Sequence, residues 1–241
     1  MDASVIVPGL FHLPFPVGHA YLWNDDGELT LIDTGIAGSG PAVAAAIRGL
    51  GLDPAGLRRV VLTHCHPDHT GAAAEIGGWN TGAGPGGAGV SVLAHRADAP
   101  VIRGEVPLSP PVLLDWERPI AAGLPALPPT PPARVDRELD DGDVLDFGGG
   151  ARIVAVPGHT DGSIAVHLPQ HGVLLTGDAV ANVGGHTMLG VFNTDRERAI
   201  ASFHRLSGLD DVDTACFGHG EPVVGGAADV LRQVAAALPQ R

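Results

Sequence analysis

THCHPDHTG, residues 63–71, crowds His64, His66, Asp68 and His69 into one short stretch. It follows RRVVLT (58–63), an apolar, β-branched run that reads as a buried strand. It leads into DHTGAAAEI, which reads as a helix start with Asp68 in its first turn, where the helix dipole favours negative charge. On an extended chain, side chains two apart point the same way, so His64 and His66 share a direction. Asp68 and His69 enter on the turn and aim at a neighbouring point. This is the donor chemistry of half a metal site, and the rest of the chain has to supply the other half.

Three later segments have the form such a complement needs: VPGHTDGS with His159, LLTGDAV with Asp178 and CFGHGEP with His219. Each is a short β-rich run ending in glycine beside a ligand-type side chain. Glycine there permits a tight turn and close approach to an ion. A lone GHG or TGD is usually only a turn; the combination, in this order and always at strand ends, carries the weight. Five histidines and two aspartates exceed one tetrahedral zinc site and suit two metals that share a bridging carboxylate.

Around these motifs the chain reads as α/β. SVIV, AYLW and LTLID are strands of the N-terminal third, and a helix runs from Pro41 with Val43, Ile47 and Leu50 on one face. VSVLAH, DVLDF, RIVAVP, IAVHLP, GVLLTG and DTACFG are further strands. NTDRERAIASFHRL opens with a capping-box pattern, Thr194 with Glu197, and GAADVLRQVAAAL closes the chain as a helix. From about 98 to 140 a proline-rich tract interrupts the pattern. Its length and apolar content suit a lid or binding loop inserted in one α/β domain spanning 1–241.

Twelve histidines beside a single tyrosine fit a metal protein, histidine being the commonest ligand. Fourteen basic against 27 acidic residues leave a net charge of −13, which argues against a nucleic-acid partner. No apolar run approaches the roughly 20 residues that span a bilayer, so no membrane association is expected. MDASVIVPGL lacks the features of a signal peptide, and two lone cysteines make no disulfide framework. A cytoplasmic protein is expected, its oligomeric state open, with a homodimer compatible. Cys65 alternates away from its histidine neighbours and reads as a small core residue.

The series H-x-H-x-D-H, PGHT, TGD and GHG resembles the metallo-β-lactamase superfamily, over a span from LIDTG to GHG that covers nearly the whole chain. The resemblance implies a four-layer αββα sandwich with metals at one edge. By that analogy His64, His66 and His159 hold one ion, Asp68, His69 and His219 hold the second, and Asp178 bridges them. Asp33, in IDTG, matches a position that supports the site from behind the ligands. Two divalent ions are implied; histidine at 66 favours zinc, though iron or manganese accept the same ligands. Such a pair holds a hydroxide that attacks an acyl carbonyl, with Asp68 orienting it.

The expected activity is hydrolysis of an ester, thioester or lactone in a small molecule. True β-lactamases of this fold generally lack the aspartate matching Asp178. Glyoxalase-II-like enzymes carry all seven ligands but add a C-terminal helical domain, whereas the chain runs only to Arg241 after His219, so a glutathione thioester is not expected. A persulfide dioxygenase, with one iron on His64, His159 and Asp178, is the alternative of a different class. Val112, Leu113, Leu114, Trp116, Leu124 and Leu127 either line an acyl pocket or pack the tract onto the core. Trp116 and His186 are candidate substrate contacts, and His19 a candidate for the pocket border.

Overall fold

The computed structural model describes residues 3–80 and 89–239. Met1 and Asp2, part of the stretch read for a leader, lie outside them. The chain divides into two compact units, Met1–Pro107 with Leu127–Leu139, and Leu108–Ala126 with Asp140–Arg241.

The first unit is a seven-stranded sheet whose spatial order follows the chain: β1 (Ser4–Val7), β2 (Leu10–Pro14), β3 (His19–Asp25), β4 (Glu28–Ile32), β5 (Leu57–Leu62), β6 (Ser91–His95) and β7 (Arg137–Leu139). The first four strands pair antiparallel, as short turns allow, and β4 to β7 pair parallel. Parallel neighbours need long crossovers. These carry α1 (Gly40–Gly49), α2 (Pro67–Thr70), α3 (Ala73–Gly77) and α4 (Ala99–Ile102). Val43, Ile47 and Ile76 of the helices pack on Leu31, Val60, Leu62 and Val92 of the strands, and Cys65 joins this core. Because β4, β5 and β6 run the same way, Asp33, His64 and Asp98 all leave the sheet at one edge.

The single helix expected after the histidine cluster is two short ones. Thr34, distant in sequence, breaks the ladder: its backbone N–H and its hydroxyl both donate to the His69 carbonyl, at 2.7 and 2.8 Å. The same hydroxyl accepts the Ala72 N–H at 3.3 Å. The i→i−4 bond that would continue the helix therefore loses its acceptor.

In the second unit a six-stranded sheet has the order β15-β14-β11-β10-β9-β8. Its strands are β8 (Val144–Leu145), β9 (Ala151–Ala155), β10 (Ile164–Leu168), β11 (Val173–Leu175), β14 (Thr214–Cys216) and β15 (Val223–Val224). β12 (Val180–Val183) and β13 (His186–Leu189) form a separate hairpin. Its turn, Gly184-Gly185, has both φ positive, as a tight two-residue hairpin demands. Helices α6 (Arg196–Ser207) and α7 (Ala227–Ala237) set Ala199, Phe203, Leu206, Leu231 and Ala235 against Val154, Leu174 and Ala215. A further helix, α5 (Glu117–Gly123), lies in the proline-rich tract. β9 is antiparallel to β10, β10 to β11, and β11 parallel to β14, so β9, β11 and β14 point the same way.

The cap of α6 differs from the expected box. Asp195, not Thr194, is the N-cap, its Oδ1 accepting from Arg198 N at 3.0 Å. The Thr194 hydroxyl is engaged elsewhere, donating to the Gly158 carbonyl at 3.1 Å.

Two outcomes follow for stability. Phe203 is fully buried, so Phe203→Ala should cost about 3–5 kcal/mol, read as a lower denaturant midpoint. His167 is buried in β10, and burial, then the charge of Arg152, pull its pKa below the ordinary 6.5, against a smaller opposing effect of Asp211. The unfolded imidazole thus takes up a proton that the folded one resists. This contribution to stability is complete above 6.5 and declines as the pH falls toward the depressed value. His167→Gln should flatten that part of the stability–pH curve.

Candidate metal centre

In the first unit the site begins with Asp33, the residue after β4. The residue is 2% exposed, and its carboxylate accepts three hydrogen bonds: from Thr63 N and Thr63 Oγ1 at 2.7 Å each, and from His69 Nδ1 at 2.9 Å. Its backbone sits at φ +60°, in the left-handed region that aspartate tolerates better than most residues. The local conformation is held by these three bonds and by its own N–H on the Val61 carbonyl.

Those bonds determine two imidazoles. His69 donates from Nδ1 to Asp33, so the neutral ring carries its lone pair on Nε2. Thr63 spends its hydroxyl proton on Asp33 and can only accept from His64 Nδ1, at 3.0 Å, which places the His64 lone pair on Nε2 as well. His64 Nε2 and His66 Nδ1 face one another at 3.1 Å with their rings nearly perpendicular. Asp68 Oδ2 stands 3.6 Å from His69 Nε2. Cys65, between the two histidines, is turned into the core, and its N–H donates to the buried Asp98 carboxylate at 2.8 Å.

In the second unit the donors follow strands that point the same way: His159 beyond β9, Asp178 beyond β11 and His219 beyond β14. Asp178 Oδ2 lies 3.5 Å from His159 Nε2 and 3.3 Å from His219 Nε2. One carboxylate oxygen thus stands beside two ligand-type nitrogens. His159 donates from Nδ1 to the Val191 carbonyl at 3.0 Å, which leaves its lone pair on the Nε2 that faces Asp178. Two glycines make the turns possible. A Cβ on Gly158 (φ +133°) would meet Ala199 N at 2.2 Å, and one on Gly220 (φ +88°) would meet the Asn182 carbonyl at 1.5 Å.

The donor chemistry and the spacing of these side chains fit divalent-metal ligands. Two atoms bound to one zinc at tetrahedral geometry lie roughly 3.3 Å apart. The four facing pairs span 3.1 to 3.6 Å. The histidine nitrogens fixed here are lone-pair bearing, and the outer nitrogens are held by carboxylate, hydroxyl or carbonyl, as metal-binding imidazoles require.

Of the other candidates, Trp116 and His186 are exposed in the second unit, with His186 opening β13. Val112 and Leu124 of the tract are exposed as well. In the first unit His19 hydrogen-bonds ring to ring with the buried His12, which also stacks on Tyr21 at 5.2 Å. Cys216 is fully buried, and burial pushes its thiol far above the ordinary range, so it stays protonated. Sequence reading missed Thr63, Asp98 and the Val191 carbonyl, whose roles are hydrogen bonds to distant partners. Only Thr63, directly before the cluster, gave a local hint.

The family model described as the metallo-beta-lactamase superfamily matches residues 13–219. A probable metallo-hydrolase of Bacillus subtilis, YflN, is 28% identical over 238 residues, covering 90% of this chain and 86% of that protein. A hydroxyacylglutathione hydrolase of Cereibacter sphaeroides is 28% identical over 206 residues; the match covers 83% of this chain but 62% of that longer protein. Among solved structures, a metallo-beta-lactamase family protein of Thermus thermophilus superposes with a TM-score of 0.68 at 25% identity, covering 97% of this chain and 80% of that one. A metallo-β-lactamase of Cronobacter sakazakii superposes with a TM-score of 0.72 at 24% identity, over 98% of this chain and 92% of its own; this likeness concerns the fold.

Asp33→Asn keeps the shape but turns an NH2 toward groups that donate. It should lower metal affinity about tenfold or more in a protein that still folds. Titration against a coloured chelator reads this directly.

Proposed function

The chain belongs to the metallo-β-lactamase superfamily and has its αββα fold, and we propose that it is a metallo-hydrolase that opens an ester, thioester or lactone bond in a small molecule. The observation that carries this reading is the Asp178 carboxylate oxygen standing beside both His159 and His219. A carboxylate so placed suits a bridge between two ions. In this reading His64, His66 and His159 hold the first ion, Asp68, His69 and His219 the second, and zinc is the metal, with iron or manganese compatible with the same donors. When bound, such a pair acidifies water and polarises a carbonyl oxygen.

The chain's own residues do the rest. Asp33 fixes the tautomers of His64 and His69, so both rings present lone pairs without rearrangement. Asp68, its side chain partly open to solvent, orients the attacking water and takes up its proton. Trp116 and His186, both exposed, contact the substrate. The similarity to hydroxyacylglutathione hydrolases supports acyl-bond cleavage, with a thioester among the candidates. The acidic balance, 27 carboxylates against 14 basic residues, speaks against a nucleic-acid partner. Among the described residues no helix is long and apolar enough to cross a membrane. We place the enzyme in the cytoplasm, with a homodimer compatible with this reading.

Elemental analysis of freshly purified protein should find about two divalent ions per chain, as two-metal hydrolytic sites hold. Asp178→Ala should stay folded, lose at least one ion, and lose at least about a hundredfold in turnover on a panel of thioesters, esters and lactones. A parent without bound divalent metal, or a variant keeping both ions and full turnover, contradicts the reading. One iron per chain and oxygen uptake with a persulfide would replace hydrolysis by sulfur oxidation.

A further inference from the structure

Helix α5 has its amphipathicity inverted. Trp116, Ile120 and Leu124 are 47, 48 and 55% exposed, while the residue it buries is Glu117, at 1%. An ionised carboxylate is costly to bury unless its oxygens are hydrogen-bonded. Glu117 Oε2 accepts from Leu114 N at 2.8 Å, within its own segment. Its Oε1 accepts from Phe192 N at 3.1 Å, 75 residues away. A second rung, from Val112 N to the Asn193 carbonyl at 2.9 Å, ties the same two segments together.

The Phe192 N–H belongs to the peptide group whose carbonyl is that of Val191. That carbonyl accepts the Nδ1 proton of His159 at 3.0 Å. One planar peptide therefore has its N–H on the Glu117 carboxylate and its C=O on the His159 ring. A peptide unit turns as a rigid body, so the bond at one end fixes the direction of the other. The charge acts along the same line: a carboxylate on the N–H polarises the peptide and makes its oxygen a better acceptor. Phe192 holds this geometry at φ +59°, a left-handed conformation that a non-glycine residue keeps only when something pins it. The same turn also grips the main chain of His159, Thr194 N donating to the His159 carbonyl at 3.2 Å.

We propose that Glu117 is a positioning residue for the metal ligand His159, acting through the Val191–Phe192 peptide. The inference rests on the reading that His159 holds a metal. It gives the proline-rich tract a definite task, which is to supply the outermost member of a carboxylate–peptide–histidine–metal series. Removing the charge lets the peptide rotate, and the ring loses both its orientation and part of its basicity.

Glu117→Gln tests this, because its amide has to set an NH2 against one of the two N–H groups. Folding is checked by circular dichroism, and affinity is measured with zinc against a competing chelator. The ion that His159 helps to hold should bind about threefold to tenfold more weakly, at or just below the low end of what partners of metal-bound histidines contribute. With cobalt in place of zinc, the visible absorption bands should shift, reporting a changed ligand field. Ile120→Ala, on the exposed face of the same helix, should leave both readouts at parent values. Glu117→Asp keeps the charge one methylene short and is expected to bind more weakly than the parent. It carries the test should the Gln variant not fold. Parent-like affinity and spectrum in a folded Glu117 variant would overturn the proposal while leaving the metal centre intact. A parent that takes up neither zinc nor cobalt would overturn the metal centre, and this inference with it.

Discussion

A buried carboxylate has to be satisfied by donors, and Asp33 is satisfied by three that all belong to the metal-ligand segment of the first unit. Thr63 N, Thr63 Oγ1 and His69 Nδ1 converge on it. The first bond holds the end of β5, where the cluster begins. The second passes through the Thr63 hydroxyl to set the tautomer of His64, and the third sets that of His69. Remove the carboxylate and all three donors lose their acceptor in a space from which water is excluded. The direction and protonation of two imidazoles thus depend on one side chain that touches no reacting group.

The second unit solves the same problem differently. The outer nitrogen of His159 is held by the Val191 carbonyl, and a carboxylate stands one peptide further out, at Glu117. Around it, glycines allow backbones to approach more closely than any side chain would permit, Gly158 against Ala199 and Gly220 against Asn182. Close packing of bare backbone keeps the donors beyond β9 and β14 from drifting. Rigid supports of this kind keep donors at ligand spacing, a few tenths of an ångström from the separation a metal imposes.

Much of this was legible locally. The short apolar, β-prone runs RRVVLT, LTLID and IAVHLP marked strands, and the three-residue spacing of Ile200, Phe203 and Leu206 marked α6 as a helix. Where the reading erred, a distant group had intervened. Thr34 captured the His69 carbonyl and split one helix into two. Gly158 drew the Thr194 hydroxyl away from α6, leaving the cap to Asp195. The hairpin of β12 and β13 carried its own signal, a Gly-Gly pair between β-prone residues, which the motif-centred reading passed over.

Residue chemistry by itself determined which side chains are suited to a metal: histidine and aspartate beside glycine at strand ends are recognisable in windows of a few residues. Tertiary structure alone decided which nitrogen of each ring carries the lone pair, that one oxygen of Asp178 serves two histidines, and that Glu117 belongs to the same system. The reason is physical. A ligand's identity is covalent and local. Its tautomer and aim are set by hydrogen bonds across 30 to 75 residues of chain, and those exist only once the sheets have formed.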